Sequence, residues 1–406
     1  MSCVGIYGGS FNPPHAGHVL AAQEAVKNLG LDRLLVIPAF QAPHKQTLAG
    51  SPTAPQRLRL TQLAFSGIPE AEVSDIEILR EGVSFTVDTL RTLKQQLPGD
   101  ELVLLMGTDM LLSFTTWRAP EEIARLATLA VMRRQEEPEK LKREVQAAAA
   151  DIEAAYGCKV LFAENRSIEV SSTELRRMLA FHVPDTRLPA AVLDEIRREG
   201  LYGFDTERGG LPFDALAELS ISLHDEKRRA HVQGCCDTAR ELAKRWGADE
   251  AAAERAGILH DITKALSPEA QLAVCDHYGE KLTLFERSHP KLLHAKSGAA
   301  VAERVFRESP AVCEAIRWHT TGKPQMRLLE KIIYLADYME PNRDFPGVER
   351  LRALSCKDLD AALLLGLEMS LEILRRRGQP IDENSMAAWQ YLANERSNTH
   401  DDGTQI

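Results

Sequence analysis

The sequence predicts two domains of different class, an α/β domain with a parallel sheet followed by an all-α domain. Over residues 1–204, short apolar runs rich in β-forming residues alternate with stretches of helical periodicity. From about residue 215 onward the sequence is almost entirely helical in character, with apolar residues at three- and four-residue spacing. The chain has 406 residues, which is enough to give each domain its own core.

The first domain is predicted from its apolar runs. The strand-like runs are CVGIYG, RLLVIPAF, LVLLMG, ATLAVMRR and CKVLFAE. Helical stretches such as HVLAAQEAVKNLG and TVDTLRTLKQQL alternate with them. This alternation predicts a parallel sheet whose strands are joined by right-handed crossovers.

A charged segment with two glycines and a proline, DTERGGLPFD, interrupts this pattern and predicts a linker over residues 205–214. The second domain, residues 215–395, contains helical stretches such as DTARELAKRWG, AKSGAAVAERVF and DLDAALLLGLEMSLEILRRRG. Residues 396–406 end in SNTHDDGTQI, which has too little apolar surface to order itself. We therefore expect a flexible tail there.

The composition limits the partners and the compartment of the protein. The net charge of −10 gives no general attraction to nucleic acid or to an anionic membrane, so any phosphate ligand is expected to be a small molecule. The seven cysteines are scattered, without a CxxC pair, and are expected to be reduced thiols. The sequence shows no secretory leader and no apolar stretch of about 18 residues. It therefore predicts a cytoplasmic protein.

The opening segment, GIYGGSFNPPHAGHVL, predicts a phosphate site. A strand ends at Gly8 and Gly9, where backbone N–H groups can approach a ligand, and a helix is expected to begin near Gly17 or His18. His15 and His18 lie three residues apart there, so both can donate hydrogen bonds and some positive charge to one phosphate. A metal-binding pair or two solvated histidines remain open as alternatives. The segment lacks GK[ST], so it is not a Walker loop.

A second segment, SIEVSSTELRRML, has the features of another phosphate cradle. A short strand is expected to run into Ser171, Ser172 and Thr173. Glu174 is placed for a capping box, and Arg176 falls on the first turn of the following helix. A plain N-cap with a surface arginine is the alternative. Because helix N-termini meet at the carboxyl edge of a parallel sheet, we expect the two segments to share one cleft.

Five segments, taken in order, resemble the bacterial nicotinate-nucleotide adenylyltransferases of the HxGH nucleotidyltransferase superfamily. They are GGSFNPPHAGH, PAFQAPHK, SFTVDTL, MGTDMLLSFTTW and IEVSSTELRRML, and the resemblance covers about residues 1–204. It implies a Rossmann-like fold and the transfer of AMP from ATP to nicotinate mononucleotide, which gives deamido-NAD and pyrophosphate. Class I aminoacyl-tRNA synthetases share the HxGH loop, but VSST stands where their KMSKS loop would be. Pantetheine-phosphate adenylyltransferases lack the GTDM…W segment.

This resemblance implies roles for single residues. His15 and His18 would contact the ATP phosphates, and the reaction would need no covalent nucleophile. Ser172 and Arg176 would hold the departing pyrophosphate. Lys45 would add positive charge at the same place.

The resemblance also implies how the two nucleotides bind. Asp109 would lie in the nucleotide cleft, and Thr86 and Trp117 would face the nicotinate ring. Mg²⁺ would accompany ATP. The remaining substrate-binding positions implied by the motifs are Gly8, Gly9, Ser10, Phe11, Gly107, Ser171 and Thr173.

Four of the 12 histidines form a second pattern with two aspartates. They are His231, His260, His294, His319, Asp261 and Asp337. Adjacent residues on a helix point about 100° apart, so His260 and Asp261 can bind one ion only near a helix end or a kink. A carboxylate there can also bridge two ions. His294, His319 and Asp337 lie in apolar segments, where metal binding relieves the cost of burying an ionisable group. For any single histidine, a satisfied core position is the alternative.

The second half resembles the HD-domain phosphohydrolases, and within them the bacterial family that hydrolyses diadenosine tetraphosphate symmetrically to two ADP. The matching segments are RRAHVQGCCDTARELAKRWG, LHDITK, HPKLLHAKSGA, WHTTG and LADYMEPNRDFPGVERLR. The resemblance implies two metal ions, often iron, held by the four histidines and two aspartates, with Asp261 bridging. Lys264 and Arg343 would be phosphate partners. The small GCC segment after His231 departs from the bulkier residue expected there, which puts the local packing in doubt.

Taken together, the motifs predict a bifunctional enzyme acting on ATP, nicotinate mononucleotide and diadenosine tetraphosphate. Two other interpretations of the second domain remain open. It could be a nucleotide-sensing module without turnover that regulates the first half, or a hydrolase of another phosphoester such as a cyclic dinucleotide or a nucleoside triphosphate. The presence of every ligand favours catalysis, because a sensor could lose some of them. The sequence leaves open the native metal, whether the chain forms a homo-oligomer, and whether the two sites communicate.

Overall fold

The computed structural model describes residues 2–43, 51–134, 136–166, 168 and 170–401. The chain divides into two units, Met1–Asp205 and Thr206–Ile406. The segment expected to be a linker follows this division. Its Leu211 carbonyl accepts a hydrogen bond from Arg255 Nη1 at 2.9 Å, so part of the segment is anchored on the second unit.

A six-stranded parallel sheet forms the centre of the first unit. The strands are β1 Cys3–Gly9, β2 Arg33–Pro38, β3 Ala71–Val73, β4 Glu101–Gly107, β5 Thr128–Arg134 and β6 Val160–Asn165. Their order in the sheet is β3-β2-β1-β4-β5-β6, and all neighbours are parallel. The chain thus moves outward from β1 in one direction and, after crossing to β4, outward in the other. This architecture confirms the predicted Rossmann-like α/β domain.

Helices cover both faces of this sheet, which is why its strands are apolar on both sides. In β2, Leu34 and Val36 pack on one face while Leu35 and Ile37 pack on the other. The helices of this unit are α1 Ala16–Leu29, α2 Ala54–Phe65, α3 Ile76–Arg80, α4 Thr86–Gln96, α5 Thr108–Leu112, α6 Pro120–Leu126, α7 Glu139–Tyr156, α8 Ser172–Ala180 and α9 Ala190–Glu199, with 3₁₀ turns at Phe114–Thr116 and Leu201–Gly203. Helices α1, α2, α8 and α9 contribute to the first of these two cores, and α4, α6 and α7 to the second.

Two local features of the first unit differ from the sequence predictions. Strand β3 was not predicted, because three residues are too few to show a period. Helix α1 begins at Ala16, capped by the side chain of His15, one residue before the predicted start near Gly17. The prediction of a short strand before Ser171 is wrong for Ile168 and Val170, the residues of that segment that the structure describes, since neither belongs to a strand.

The second unit is helical, and none of its described residues lies in a strand, which confirms the all-α prediction. Its helices are α10 Phe213–Leu223, α11 Glu226–Trp246, α12 Glu250–Leu259, α13 Pro268–Tyr278, α14 Leu284–Ser288, α15 Leu293–Arg304, α16 Pro310–Trp318, α17 Leu328–Met339, α18 Val348–Ser355, α19 Leu359–Arg376 and α20 Glu383–Asp401, with a 3₁₀ turn at Pro290–Leu292. None of the helices described in either unit is both long and apolar enough to cross a membrane.

The expected tail is partly helical. Helix α20 continues to Asp401, so the described part of the expected tail, residues 396–401, is helical. Backbone hydrogen bonds can propagate a helix beyond its last packed apolar side chain. Residues 402–406 lie outside the described part of the chain.

The GCC segment, whose packing the sequence left in doubt, lies where α11 meets α12. Cys235 and Cys236 are buried, and all seven cysteines are free thiols. A Cβ on Gly257 of α12 would lie 2.7 Å from Cα of Cys236, so the two helix backbones touch here. This close approach requires a residue without a side chain at position 257.

Two glycine substitutions in the second unit test this packing. Gly257→Ala forces a carbon against backbone and should cost about 1–3 kcal/mol of the free energy of unfolding. Gly366→Ala is the matched control, because its Cβ would meet only ordinary contacts from 3.7 Å outward, and a glycine in a helix costs about 0.5–1 kcal/mol relative to alanine. Denaturant unfolding followed by tryptophan fluorescence measures both. Equal unfolding midpoints for the two variants would contradict the close backbone contact.

Candidate active sites

The cleft of the first unit lies at the carboxyl edge of its sheet, beside the point where β1 and β4 lead the chain in opposite directions. Its volume is about 980 Å³. Ten of the residues expected to bind substrate or to act in catalysis line it: Gly8, Gly9, Ser10, Phe11, His15, His18, Thr86, Gly107, Asp109 and Trp117. The fold therefore brings to one cleft motifs that are distant in the sequence.

Long-range hydrogen bonds hold the opening loop between β1 and α1. Arg57, only 8% exposed, donates from Nη1 to the Ser10 carbonyl at 2.9 Å and from Nη2 to the Phe40 carbonyl at 2.7 Å. The Tyr202 hydroxyl donates to Asn12 Oδ1 at 2.7 Å. The sequence analysis did not identify Arg57 or Tyr202, because neither lies in a motif.

Phe11 supports this loop from the core. Its ring is 1% exposed and packs edge-on against Tyr7, Phe65 and His18, at centroid distances of 5.6, 5.6 and 5.1 Å. A Cβ on Gly9 would lie 3.0 Å from this ring, so the second glycine leaves the ring its space. The side chain expected to bind substrate therefore serves first to support the loop and His18.

His15 and His18 form a reciprocal cap at the start of α1. Each Nδ1 accepts a backbone N–H from the other residue, at 3.2 Å for His18 Nδ1 and 3.4 Å for His15 Nδ1, and the rings stack with centroids 3.6 Å apart. Because Nδ1 accepts, the ring proton of each neutral imidazole lies on Nε2. Burial, with the charge of Arg187, lowers the pKa of His15 to about 4. The low pKa favours the neutral His15 ring, which can donate a hydrogen bond to an anion from Nε2.

The second cradle contacts the opening loop directly. The Ser172 hydroxyl donates to the Pro13 carbonyl at 3.2 Å, and Arg176 Nη1 donates to the Asn12 carbonyl at 2.6 Å. Arg176 Nη2 also donates to Thr173 Oγ1 at 2.9 Å. The two predicted cradles therefore meet, as expected from the fold.

The cap of α8 differs in part from the prediction. Ser171 is the N-cap, and its hydroxyl accepts the N–H of Thr173. The carboxylate of Glu174, expected to complete a capping box, forms an ion pair with Arg187 at 3.0 Å. Lys45, expected to add charge here, lies outside the described residues.

Three arginines that the sequence analysis did not identify also line this cleft. They are Arg118, Arg133 and Arg166. The guanidinium of Arg118 lies over the ring of Phe85, 4.6 Å from its centroid. In a chain of net charge −10, these residues supply local positive groups for a polyphosphate.

The second unit brings the four histidines and two aspartates of the predicted metal site together. His260 and His319 are the C-caps of α12 and α16, so adjacent Asp261 follows a helix end, as two neighbouring ligands require. His231 lies on α11 and His294 on α15. The Nε2 atoms of His231 and His260 are 3.3 Å apart, and those of His294 and His319 are 3.2 Å apart.

The Asp261 carboxylate lies between these two histidine pairs. Its Oδ2 is 3.5 Å from His231 Nε2 and 3.6 Å from His260 Nε2. Its Oδ1 is 3.3 Å from His294 Nε2 and 3.8 Å from His319 Nε2. One oxygen of this carboxylate therefore faces each pair.

Asp337 completes the first pair. Its Oδ1 lies 3.2 Å from His231 Nε2 and 3.8 Å from His260 Nε2. Two overlapping groups, His231 with His260 and Asp337, and His260 with Asp261 and His319, have ligand atoms within 4.8 Å of one another. Imidazole nitrogens that face each other at such distances need a proton or a cation between them, so the donor set fits a metal centre.

Hydrogen bonds at Nδ1 orient the rings of His260 and His319 and so direct their Nε2 atoms. His260 Nδ1 lies 2.7 Å from the Gly257 carbonyl, and His319 Nδ1 lies 2.7 Å from the Ile316 carbonyl. Because Nδ1–H donates to these carbonyls, the lone pair of each Nε2 points into the cluster. Lys264 Nζ lies at nearly the same distance from both ring nitrogens of His294, 3.0 Å from Nδ1 and 3.1 Å from Nε2.

The electrostatics of the cluster favour bound cations. Burial alone would raise the pKa of the Asp261 carboxyl, but the surrounding imidazoles, led by His260, hold that pKa well below its ordinary value. Burial opposes a charge on His231, yet the carboxylates of Asp261 and Asp337 raise its pKa to about 9. Burial lowers the pKa of His319 to about 4. The carboxylates thus remain charged and attract positive charge to the Nε2 side of the rings.

A smaller cavity of about 280 Å³ opens beside the metal ligands. Four cationic residues line it: Arg228, Lys264, Lys291 and Arg343. Arg228 Nη1 lies 2.5 Å from Asp261 Oδ2, and Arg343 Nη2 lies 2.7 Å from Asp337 Oδ1. Of the four, Lys264 and Arg343 were expected from the sequence. Arg228 and Lys291 were not, although both lie in the segments that carry the resemblance.

Comparison with known proteins identifies both halves. The model of the cytidylyltransferase-like family matches residues 6–178, and that of the HD domain matches residues 228–342. A symmetrical bis(5'-nucleosyl)-tetraphosphatase of Halalkalibacterium halodurans is 43% identical over 169 residues, which are 41% of this chain and 89% of that protein. A probable nicotinate-nucleotide adenylyltransferase of Aquifex aeolicus is 35% identical over 169 residues, 42% of this chain and 98% of that protein. A solved HD superfamily hydrolase of Clostridium acetobutylicum is 35% identical, with a TM-score of 0.44, and covers 46% of this chain and 98% of that one.

Each half thus matches a relative at 35% identity or more, over 89% and 98% of the length of that relative. The chain therefore belongs, through its first half, to the nicotinate-nucleotide adenylyltransferases and, through its second half, to the HD-domain symmetrical bis(5'-nucleosyl)-tetraphosphatases, which are both enzyme families.

Proposed function

We propose that this chain is a bifunctional enzyme with two separate active sites. The first unit transfers AMP from ATP to nicotinate mononucleotide, and the second hydrolyses diadenosine tetraphosphate symmetrically to two ADP. The observation that carries the proposal is the Asp261 carboxylate, which turns one oxygen to each of two histidine pairs. The seven free thiols fit a reducing compartment, and we propose that the protein acts in the cytoplasm.

In the first unit, the geometry fits in-line transfer without a covalent intermediate. The phosphate of nicotinate mononucleotide attacks the α-phosphorus of ATP, the bond from that phosphorus to the bridging oxygen breaks, and pyrophosphate leaves. The Nε2–H groups of His15 and His18, at the N-terminus of α1, are placed to donate to phosphate oxygens as negative charge develops. Mg²⁺ accompanying ATP would neutralise part of that charge.

The substrate positions follow from the same cleft. Thr86 and Trp117 line it and are the proposed contacts of the nicotinate ring, and Asp109 lies at the end of β4 among the nucleotide contacts. Arg176 and Ser172 now contact the opening loop. We propose that they hold the pyrophosphate together with that loop.

In the second unit, two metal ions would be held by the four histidines with Asp337 and the shared Asp261. Such ions, iron being the proposed species, activate a water and neutralise phosphate charge. Arg228, Lys264 and Arg343 line the adjoining cavity and can hold a polyphosphate so that an inner phosphorus faces the ligands. Attack of water on an inner phosphorus, with cleavage of the central bridging P–O bond, would yield two ADP, which is symmetrical cleavage.

His18→Ala tests the transferase site. The substitution removes a donor that acts mainly on the transition state, so kcat should fall about 10²-fold or more while the KM for ATP changes much less. Steady-state formation of deamido-NAD measures both. Gln23→Ala, exposed on the same helix, is the control and should keep the wild-type kcat. A His18→Ala variant with near-normal turnover would contradict the assignment.

The depressed pKa of His15 predicts a pH dependence of stability. The folded state favours the neutral ring, so this contribution is complete above the ordinary pKa of 6.5 and is lost as the pH falls through about 4. The loss amounts to at most about 3 kcal/mol. His15→Gln should show a correspondingly smaller loss of stability between pH 7 and pH 4 than the wild type, measured by urea unfolding. Identical pH dependence in both proteins would show that His15 is not held neutral.

Asp261→Ala tests the hydrolase site in the full chain. The wild type should hold about two equivalents of transition metal and convert diadenosine tetraphosphate to ADP alone. The variant loses a ligand that balances both ions, so it should lose metal and hydrolysis, yet keep adenylyl transfer within about twofold because the two units have separate cores. Metal analysis and chromatography of the products measure these effects.

Asp276→Ala, an exposed aspartate of the same unit, is the matched control and should retain metal and activity. AMP and ATP as products would mean that the tetraphosphate binds in a different position and is cleaved at an outer bridging bond. A wild-type chain that binds no metal under reducing conditions, and stays inactive when iron or manganese is added, would contradict the hydrolase and support a sensing module. Cleavage of a cyclic dinucleotide or a nucleoside triphosphate in preference would identify another phosphohydrolase.

A further inference from the structure

His231 differs from the other metal-ligand histidines in how its far ring nitrogen is bonded. His260 and His319 stand at helix C-caps and donate from Nδ1 to backbone carbonyls three residues earlier. His231 lies inside α11, Glu226–Trp246, where nearby backbone carbonyls are engaged in the helix. Its Nδ1 must therefore find a partner on another element.

That partner is Glu340, 3.1 Å from His231 Nδ1 and only 1% exposed. Glu340 follows α17 directly and lies three residues after Asp337, so both side chains lie on one face at the end of this helix. Asp337 Oδ1 lies 3.2 Å from Nε2 of the same ring. The end of α17 thus contacts both nitrogens of one imidazole.

The second carboxylate oxygen of Glu340 is fixed by Asn342. The backbone N–H of Asn342 donates to Glu340 Oε2 at 2.7 Å, and its side-chain amide donates to the same oxygen at 2.8 Å. The same amide nitrogen lies 3.0 Å from the carbonyl of Ala230, the residue before His231. Asn342 therefore ties the buried carboxylate to the turn of α11 that carries the histidine.

Gly234 gives this carboxylate its space. It lies three residues after His231 on α11, and a Cβ there would stand 2.5 Å from Glu340 Oε2 and 3.1 Å from Asn342 Nδ2. The first residue of the GCC segment is thus small because a buried carboxylate occupies the place of its side chain. This contact explains the departure that the sequence analysis noted and the proposed chemistry did not use.

We propose that Glu340 is a positioning residue for His231. Asn342 holds the Glu340 carboxylate by hydrogen bonds, and Gly234 leaves the space that this carboxylate occupies. It accepts the Nδ1–H of the ring and so fixes the Nε2 lone pair on one of the two metal positions, the one shared with His260 and Asp337. Glu340 bonds to Nδ1, the ring nitrogen on the side away from Asp337, and so acts through His231. This role rests on the metal centre proposed above, and it acts on one ion and not on the other, because Glu340 bonds to His231, whereas His319 of the second pair is oriented by the Ile316 carbonyl.

Two variants test the proposal without changing a metal ligand. Glu340→Gln keeps the size of the side chain but weakens the acceptor, and Gly234→Ala leaves Glu340 in the sequence but places a methyl group against its carboxylate. In both, one of the two metal dissociation constants should rise about 10- to 100-fold while the other stays unchanged. Titration of the metal-free full chain with Mn²⁺ or Zn²⁺ measures the two constants.

Gln233→Ala is the matched control, since it changes the neighbouring, exposed residue of α11 and should leave both constants unaltered. Unchanged constants in both test variants overturn the role of Glu340 alone. An equal rise of both dissociation constants, together with a lower unfolding midpoint of the metal-free protein, also overturns the role of Glu340. That result would indicate a general structural effect. A wild-type chain that binds no metal overturns the metal centre itself and this role with it.

Discussion

The unpaired backbone groups at helix ends determine how histidine is used in both units. At the start of α1, exposed N–H groups point outward, and the Nδ1 atoms of His15 and His18 accept them. At the ends of α12 and α16, carbonyls are available instead, and the Nδ1 atoms of His260 and His319 donate to them. The same ring therefore presents an Nε2–H donor at a helix start and an Nε2 lone pair at a helix end. The first suits a phosphate oxygen and the second suits a metal ion.

This constraint accounts for the contacts that surround each site. The reciprocal cap of His15 and His18 follows the opening loop, which Arg57, Tyr202 and Arg176 hold by hydrogen bonds. The imidazole lone pairs of the second unit point at one another and need a cation between them. The buried Asp261 carboxylate lies between the two histidine pairs, and its negative charge attracts such a cation. Both sites bury charged groups, and two of these groups, Arg57 and Asp261, have partners on other segments of the chain.

The sequence predicts the parts of each site that depend on short spacing. The HxGH loop, the adjacent His260 and Asp261, and the alternation of strands and helices are local patterns, and the fold follows from them. The contact of Glu340 with His231 joins residues 109 positions apart, which short spacing cannot predict. The need for glycine at position 234 can be recognised only once that contact is known. Arg57 is similar, since a lone arginine on an amphipathic helix is ordinarily exposed. Strand β3 and the helical end of α20 were missed because three residues show no period and because helix propagation needs no apolar face.

The tautomers also bear on the alternatives that the spacing of His15 and His18 leaves open. A metal ion on the Nε2 atoms would need the ring protons to move to Nδ1, where each would meet the backbone N–H that Nδ1 now accepts. Binding a metal would therefore break the cap that starts α1. Two freely solvated histidines do not fit either, because His15 is 7% exposed and the two rings stack at 3.6 Å. The donor pair for an anion is the arrangement that keeps the cap, and it places the anion at the helix N-terminus that the sheet topology also favours.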